Sequence, residues 1–283
     1  MPGPWVGVGV APYPDGVDDA EQFVDGAHAD RASVERAAAL LAGAERIVVL
    51  TGAGISTDSG IPDFRGPDGV WTKHPEAEKY ATISHYLADP ELRVRAWRHR
   101  MENPALTAEP NAGHRAVVAL ERSGRLQLLV TQNIDGLHHA AGSDPDRIVE
   151  MHGSIRSARC VSCGWSAPMS EVFDRVRAGE LDPPCPACGG IVKSDTVFFG
   201  EALRPEHVER AFEAARTCDV LLAVGTTLTV TPVARLAPVA VDSGAGLVIV
   251  NGGETDYDHA ATAVLRGSIS ELLPALVASL SPA

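Results

Sequence analysis

The stretch Arg46-Ile47-Val48-Val49-Leu50-Thr51-Gly52-Ala53-Gly54 decides the fold class. Its first half is a run of aliphatic, mostly β-branched residues without polar alternation, which reads as a strand buried on both faces. Its second half is a Gly-x-Gly turn, after which a helix is expected to start. Glycines at such a turn let the backbone approach a pyrophosphate, and a helix N-terminus favours its negative charge. Thr57 stands where the usual dinucleotide fingerprint has its third glycine. Gly52 and Gly54 by themselves therefore also suit an ordinary tight strand-to-helix turn.

Three further apolar runs have the same character: Leu126–Thr131 (LQLLVT), Val220–Val224 (VLLAV) and residues 247–250 (LVIV). Each leads into a polar or glycine turn, at Gln132-Asn133-Ile134-Asp135, Gly225-Thr226-Thr227 and Asn251-Gly252-Gly253. Helical patterns cover residues 32–43, 111–122, 205–217 and 231–243. Continuous apolar strands alternating with helices predict a parallel sheet covered on both faces. Ligands on such α/β sheets bind at the carboxyl ends of the strands, so the four turns are expected to converge on one site.

Two stretches interrupt this pattern. Residues 66–105 are polar with scattered aromatics and read as a helical insertion. Residues 156–194 contain Cys160-x-x-Cys163 and Cys185-x-x-Cys188, close to the spacing at which two knuckles place four thiolates round one zinc. Four thiolates leave the metal no open position, so it is structural and the chemistry lies elsewhere. These two stretches are expected to form a small lobe over the strand ends. Residues 32–65, 106–155 and 195–283 then make the larger domain. Residues 1–31 read as a weakly ordered extension.

The remaining cysteine, Cys218, precedes a strand and reads as a buried small hydrophobe, so no disulfide framework is left over. The net charge is −13 with no strip of Lys and Arg, which argues against a nucleic-acid partner. No apolar run approaches the ~20 residues of a membrane span, and the N-terminus has no secretory pattern. A cytoplasmic protein is expected. Nothing in the sequence sets an oligomeric state.

Several residues could carry chemistry. Asp63-Phe64-Arg65 sits on a Gly/Pro-rich loop and reads as a lid over a ligand, or as a surface turn with an anchoring aromatic. Gln132, Asn133 and Asp135 offer amides and an acid at a strand end. Asn133 or Asp135 equally suits a helix cap. His152, beside Gly153, is a candidate general base among ten histidines, most of which have structural or exposed roles.

Taken together, these motifs resemble one family, the sirtuins, which are NAD-dependent protein lysine deacylases. The resemblance rests on Gly52-Ala53-Gly54-Ile55-Ser56, residues 60–66 (GIPDFRG), residues 131–135 (TQNID), His152-Gly153, both cysteine pairs, Phe199-Gly200-Glu201, Gly225-Thr226-Thr227-Leu228 and Val250-Asn251. It spans about residues 32–280. It implies a Rossmann-like NAD-binding domain with a small zinc-binding, helical lobe. Gly52, Ala53, Gly54 and Ser56 would cradle the NAD phosphates with Gly225, Thr226 and Thr227. Asn251 and Gly252 would meet the adenosine ribose. Phe64 would shield the nicotinamide pocket, with Asp63 and Arg65 beside NAD. Asp135 would bind the nicotinamide carboxamide, next to Gln132 and Ile134. Asn133 would order the ribose or a water. Val197, Phe198, Phe199, Gly200 and Glu201 would pair with the backbone of an acylated-lysine protein substrate as an added strand. His152 would take a proton from a ribose hydroxyl. The products would be nicotinamide, free lysine and 2′-O-acyl-ADP-ribose.

Two departures stand out. The family often has Arg-Pro-Asp-Val before its Phe-Gly-Glu, where this chain has Lys193-Ser194-Asp195-Thr196-Val197. Relatives that prefer succinyl or malonyl groups carry Tyr-x-x-Arg, where this chain has Trp97-Arg98-His99-Arg100. Without the Tyr hydroxyl, an acetyl or other uncharged acyl group is expected. Trp97 is expected to pack into the small lobe and Arg100 to be solvated. Two other functions use the same pocket: protein ADP-ribosyl transfer, and NAD binding by a scaffold without turnover.

Overall fold

A computed structural model describes residues 30–63 and 79–280. Phe64, Arg65 and most of the expected N-terminal extension lie outside these residues. In chain order the main sheet contains β1 (Ile47–Thr51), β2 (Leu126–Thr131), β3 (Ile148–Glu150), β7 (Val220–Val224), β8 (Gly246–Val250) and β9 (Ala263–Leu265). All neighbouring pairs are parallel, in the order β3-β2-β1-β7-β8-β9. The chain builds outward from β1 on one side and then crosses to build β7 to β9 on the other. The order therefore reverses between β1 and β7, the switch point at whose carboxyl ends α/β sheets have their ligand crevice.

The alternation of side chains along each strand gives two cores. Ile47 and Val49 face α1 (Arg31–Gly43), α4 (Ala112–Arg122) and α9 (Ile269–Ala278). Val48 and Leu50 face α7 (Pro205–Thr217) and α8 (Leu236–Asp242). Every residue of β1 is buried, which explains why its sequence shows no polar alternation.

Two expected helices differ from their sequence reading. The segment after Gly52 is a 3-10 helix, Ala53–Ser59, ended by Gly60 in the left-handed region (φ 81°). The Thr57 hydroxyl takes the Gly54 carbonyl (3.0 Å), and such side-chain competition disfavours a regular α-helix. Residues 231–243 divide into a 3-10 turn, Val233–Arg235, followed by α8. Pro238 has no N–H for the Ala234 carbonyl, which removes one bond that a continuous helix would have there.

The small lobe holds α2 (Ile83–Ala88), α3 (Pro90–Met101), α6 (Met169–Arg177) and a sheet ordered β5-β4-β6. Its strands are β4 (Gly153–Cys160), β5 (Ser166–Pro168) and β6 (Val192–Thr196), all antiparallel. Asp89 accepts from Leu92 N–H (3.0 Å) and Pro90 opens α3, which fixes where that helix starts. Trp97 is fully buried against Cys160, Phe173 and Val192. Gly153 (φ 72°) allows β4 and β6 to cross, since a Cβ there would lie 1.9 Å from the Asp195 carbonyl oxygen. Asp195 on β6 also pairs with Arg204 at the start of α7 (2.6 Å), tying the small sheet to the main domain. Among the described residues, no helix is long and apolar enough to cross a membrane.

Candidate active site and cysteine centre

The crevice floor is made of strand exits bonded to one another. Gly52 N–H donates to the Val224 carbonyl (3.0 Å), Gln132 N–H to Thr51 (2.9 Å) and Gly225 N–H to Val250 (2.9 Å). Gly52 and Gly54 have a reason to be glycine that precedes any ligand. A Cβ on Gly52 would sit 2.7 Å from the Gly225 oxygen, and one on Gly54 2.8 Å from the Gly225 Cα. Gly225 itself has φ 62°, and a Cβ there would be 2.3 Å from the Ile55 nitrogen. The two turns are thus pressed together with no room for side chains between them.

A buried polar chain runs along this floor. Asn133 Nδ2 donates to the Gly52 carbonyl (3.0 Å) and to Ser56 Oγ (3.2 Å). Ser56 Oγ donates to Asp135 Oδ2 (2.8 Å). Asp135 Oδ1 accepts from Leu137 N–H (2.9 Å) just ahead of the short helix α5 (Leu137–Ala141), whose N-cap is Gly136. Asp135 therefore holds the entry to that helix and is part of the polar floor. Gln132 Nε2 donates to Thr226 Oγ1 (2.9 Å), joining the ends of β2 and β7. Ile134 lends its carbonyl to Ile155 N–H (2.9 Å). Asn251 is buried at the end of β8 and donates to the Gly253 carbonyl (2.8 Å), with Gly252 exposed in that turn. Thr227 is exposed and within 2.9 Å of Thr229 Oγ1. Ala53 and Asp63 are partly exposed at the two ends of the turn after β1.

His152 lies at the junction of the two sheets. Its Nδ1 is 2.9 Å from the Gln132 carbonyl. A carbonyl only accepts, so Nδ1 carries the proton and Nε2 is the basic nitrogen of the neutral ring. The His152 carbonyl accepts from Val197 N–H (2.8 Å), which places the start of residues 197–201 beside it.

Beneath the floor are groups that sequence reading did not single out. His138 Nε2 is 3.0 Å from Thr51 Oγ1, which donates to Thr131 Oγ1 (2.8 Å). The His138 and His114 rings meet edge-on at 4.9 Å. His114 Nδ1 is 3.1 Å from Asn111 Oδ1, and its Nε2 is 3.5 Å from Ser56 Oγ. Burial lowers the pKa of His114 to about 4, against the pull of Asp135. Burial also holds His138 well below its ordinary range, helped by the neighbouring His114 and His139. Both rings are neutral at pH 7. The signal for His114 was present in the chain: Asn111 and His114 sit at N-cap and N3 of α4, the spacing of a capping box.

Residues 197–201 form a shaped edge. Phe199 N–H donates to Ala81 (2.7 Å) and its carbonyl accepts from Ile83 N–H (3.0 Å), so Phe199 pairs with the helical insertion in this structure. The Phe199 side chain is exposed while Phe198 is buried. Arg100 differs from expectation. It is only partly exposed: its guanidinium lies over the rings of Trp97 (5.1 Å), Tyr86 (5.2 Å) and Phe198 (5.6 Å). Its Nη1 is buried with no hydrogen-bond partner among the described residues. The aromatic box made by α2, α3 and Phe198 holds it.

The four cysteine sulfurs lie within 4.8 Å of one another, with Cys160–Cys188 at 3.6 Å and Cys163–Cys185 at 3.7 Å. Four thiolates at ~2.3 Å from a tetrahedral zinc are about 3.8 Å apart, so the cluster fits that ion. Gly190 makes the fit possible, since a Cβ there would lie 3.2 Å from both the Cys160 and Cys188 sulfurs.

A parallel sheet with a polar crevice at its switch point, a histidine at the crevice edge and a four-cysteine lobe together define an α/β nucleotide-site protein with a metal-stapled lobe. The Sir2 family profile matches residues 52–232, and the chain belongs to that family. It is 50% identical over 240 residues to NAD-dependent protein deacetylase 2 of Streptomyces coelicolor, covering 85% of this chain and 100% of that protein. A solved Sir2 enzyme superposes with TM-score 0.79 at 39% identity, covering 89% of this chain and 98% of the other. A Sir2 structure with a p53 peptide and NAD+ superposes with TM-score 0.75 at 34% identity, covering 85% and 95%.

Proposed function

We propose that this chain is an NAD-dependent protein lysine deacylase acting on acetyl-lysine or another uncharged acyl-lysine. The observation that carries the reading is the orientation of His152, whose Nδ1 is fixed by the Gln132 carbonyl so that Nε2 is the proton acceptor at the crevice. NAD supplies an anomeric carbon from which nicotinamide departs and to which the acyl oxygen adds. Binding would fall to the paired turns at Gly52, Gly54 and Gly225, with Thr226, Asn251 and the partly exposed Ala53, Asp63, Thr227 and Gly252 around them. Asn133, Ser56 and Asp135 form a polar chain whose geometry is set before any ligand arrives, which suits recognition of a carboxamide and a ribose. His152 Nε2 takes the proton of a ribose hydroxyl, making that oxygen a nucleophile toward the acyl carbon. Residues 197–201 form the edge that receives the peptide. Zinc, held by Cys160, Cys163, Cys185 and Cys188, keeps the small lobe folded and has no catalytic part.

The domain division follows the same reading: residues 32–65, 106–155 and 195–283 bind NAD, and residues 66–105 with 156–194 form the lobe that closes the peptide side. The acidic chain, with net charge −13, suits a cytoplasmic enzyme without a nucleic-acid partner. The Arg100 guanidinium is engaged by three aromatic rings, and no Tyr hydroxyl stands at position 97, which favours uncharged acyl groups. The test is mass spectrometry of reactions containing NAD and matched acetyl-, succinyl- and long-chain acyl-lysine peptides. Nicotinamide, free lysine and O-acyl-ADP-ribose are expected with the acetyl peptide, and His152→Ala is expected to slow their formation ~10²–10⁴-fold at unchanged Tm. ADP-ribosylated protein without deacylated peptide would establish the transferase instead.

A further inference from the structure

Lys193 is among the largest fully buried side chains of the molecule, with 1% of its surface exposed. It lies on β6, and the catalytic reading gives it no role. A buried ammonium is costly unless each of its donors is used. Here its Nζ donates to the Thr196 carbonyl (2.5 Å) and the Ser194 carbonyl (3.2 Å). It pairs with Glu201 Oε2 (2.8 Å) and sits 4.2 Å from the centre of the Phe198 ring. Burial pushes the ammonium pKa down, Glu201 pushes it up, and Arg159 and Arg100 push it down. Glu201 is thus the carboxylate that pairs with it.

Glu201 has a second partner. The same Oε2 accepts from Phe198 N–H (2.8 Å), while Glu201 N–H donates to the Phe198 carbonyl (2.9 Å). The chain from Phe198 to Glu201 is therefore a closed loop, turned at Gly200 (φ 89°) and bolted to the end of β6 by one ammonium. The loop displays Phe199 outward and sets the backbone direction of residues 197–201.

We propose that Lys193 is a positioning residue for the acyl-peptide edge: through Glu201 it holds residues 197–201 in the shape that receives substrate. This rests on the deacylase reading above for the identity of the edge. It predicts an effect on peptide binding that is separate from NAD binding and from the metal.

Lys193→Met keeps the aliphatic length and removes the charge. In that variant the KM for an acetyl-lysine peptide is expected to rise about tenfold or more, with the KM for NAD and the zinc content within about twofold of the parent. Amide hydrogen exchange at Phe198 and Glu201 should accelerate. Lys193→Arg should restore both readouts, since a guanidinium can reach the same carbonyls and carboxylate. The pair Lys193→Met/Glu201→Gln should recover part of the loss, because the unpaired carboxylate is then gone. A folded, zinc-loaded K193M with parent-like peptide KM overturns the proposal. So does faster amide exchange with unchanged peptide KM, or a fall in kcat alone. Should K193M not fold, E201Q breaks the same contact from its other end, and unchanged peptide KM and amide exchange there overturn it equally. If the parent turns over no acyl peptide, the deacylase reading fails by itself, and amide exchange in K193M still decides whether Lys193 holds the segment.

Discussion

The two sheets of this molecule are held by different forces. The six-stranded sheet has aliphatic residues on both faces and helices over each, and β1 is buried from end to end. The three-stranded sheet has one small core around Trp97 and Phe173, with cysteines Cys160 and Cys185 inside it. The first is stabilised by apolar burial distributed over many residues. The second is small, and its four clustered sulfurs are placed to add a metal cross-link. The proposed site draws on both, since its floor comes from the large sheet and residues 197–201, the proposed peptide edge, follow β6 of the small one.

The strongest way to break this contrast is Cys185→Ser. Zinc should be lost, amide protection of β4 and β6 should collapse, and deacylation should fall below detection, while β1 and β2 stay protected. Metal analysis and hydrogen exchange read the two halves separately. An active, metal-free variant would show that the small core suffices. Next in size is Gly225→Ala, which tests the large sheet where its turns touch. A Cβ 2.3 Å from the Ile55 nitrogen on a φ of 62° should cost about 3 kcal/mol in urea unfolding, through overpacking and left-handed strain. Zinc content should not change. The smallest effect concerns His114 and His138, neutral in the fold because burial lowers both pKa values. The unfolded chain binds protons near the ordinary 6.5, whereas His114 in the fold waits until about 4. Stability of the large sheet should therefore be full above pH 6.5. It should fall by ~1.4 kcal/mol per pH unit for His114 as the pH drops below that value, about 2 kcal/mol at pH 5. Hydrogen exchange of Val49 and Leu129 at pH 7, 6 and 5 checks this; equal protection at all three would refute it.

The strands that carry the floor were legible because burial on both faces leaves an unbroken aliphatic run. β3 and β9 were not, since three residues each give no period to read. Pro274 inside α9 gave a breaking signal where the observed helix continues. The glycine turn was visible, yet its partner was not: that Gly52 and Gly54 face Gly225 is a contact across the sheet order, absent from local sequence. The cysteine spacing carried the metal centre almost whole. Arg100 illustrates the opposite case. A polar helix predicted solvent for it, and only the fold brings Tyr86 and Phe198 round its guanidinium. His114 had a local signal in its capping-box spacing from Asn111, whereas His138, a lone histidine on a short helix, has no distinguishing pattern until its partner across the core is known.

His152 is fastened on two sides, by its ring to the end of β2 and by its carbonyl to Val197 beyond β6. The direction of its Nε2 is therefore set by backbone atoms that belong to both sheets, and the aim of one nitrogen records how the two sheets sit against each other.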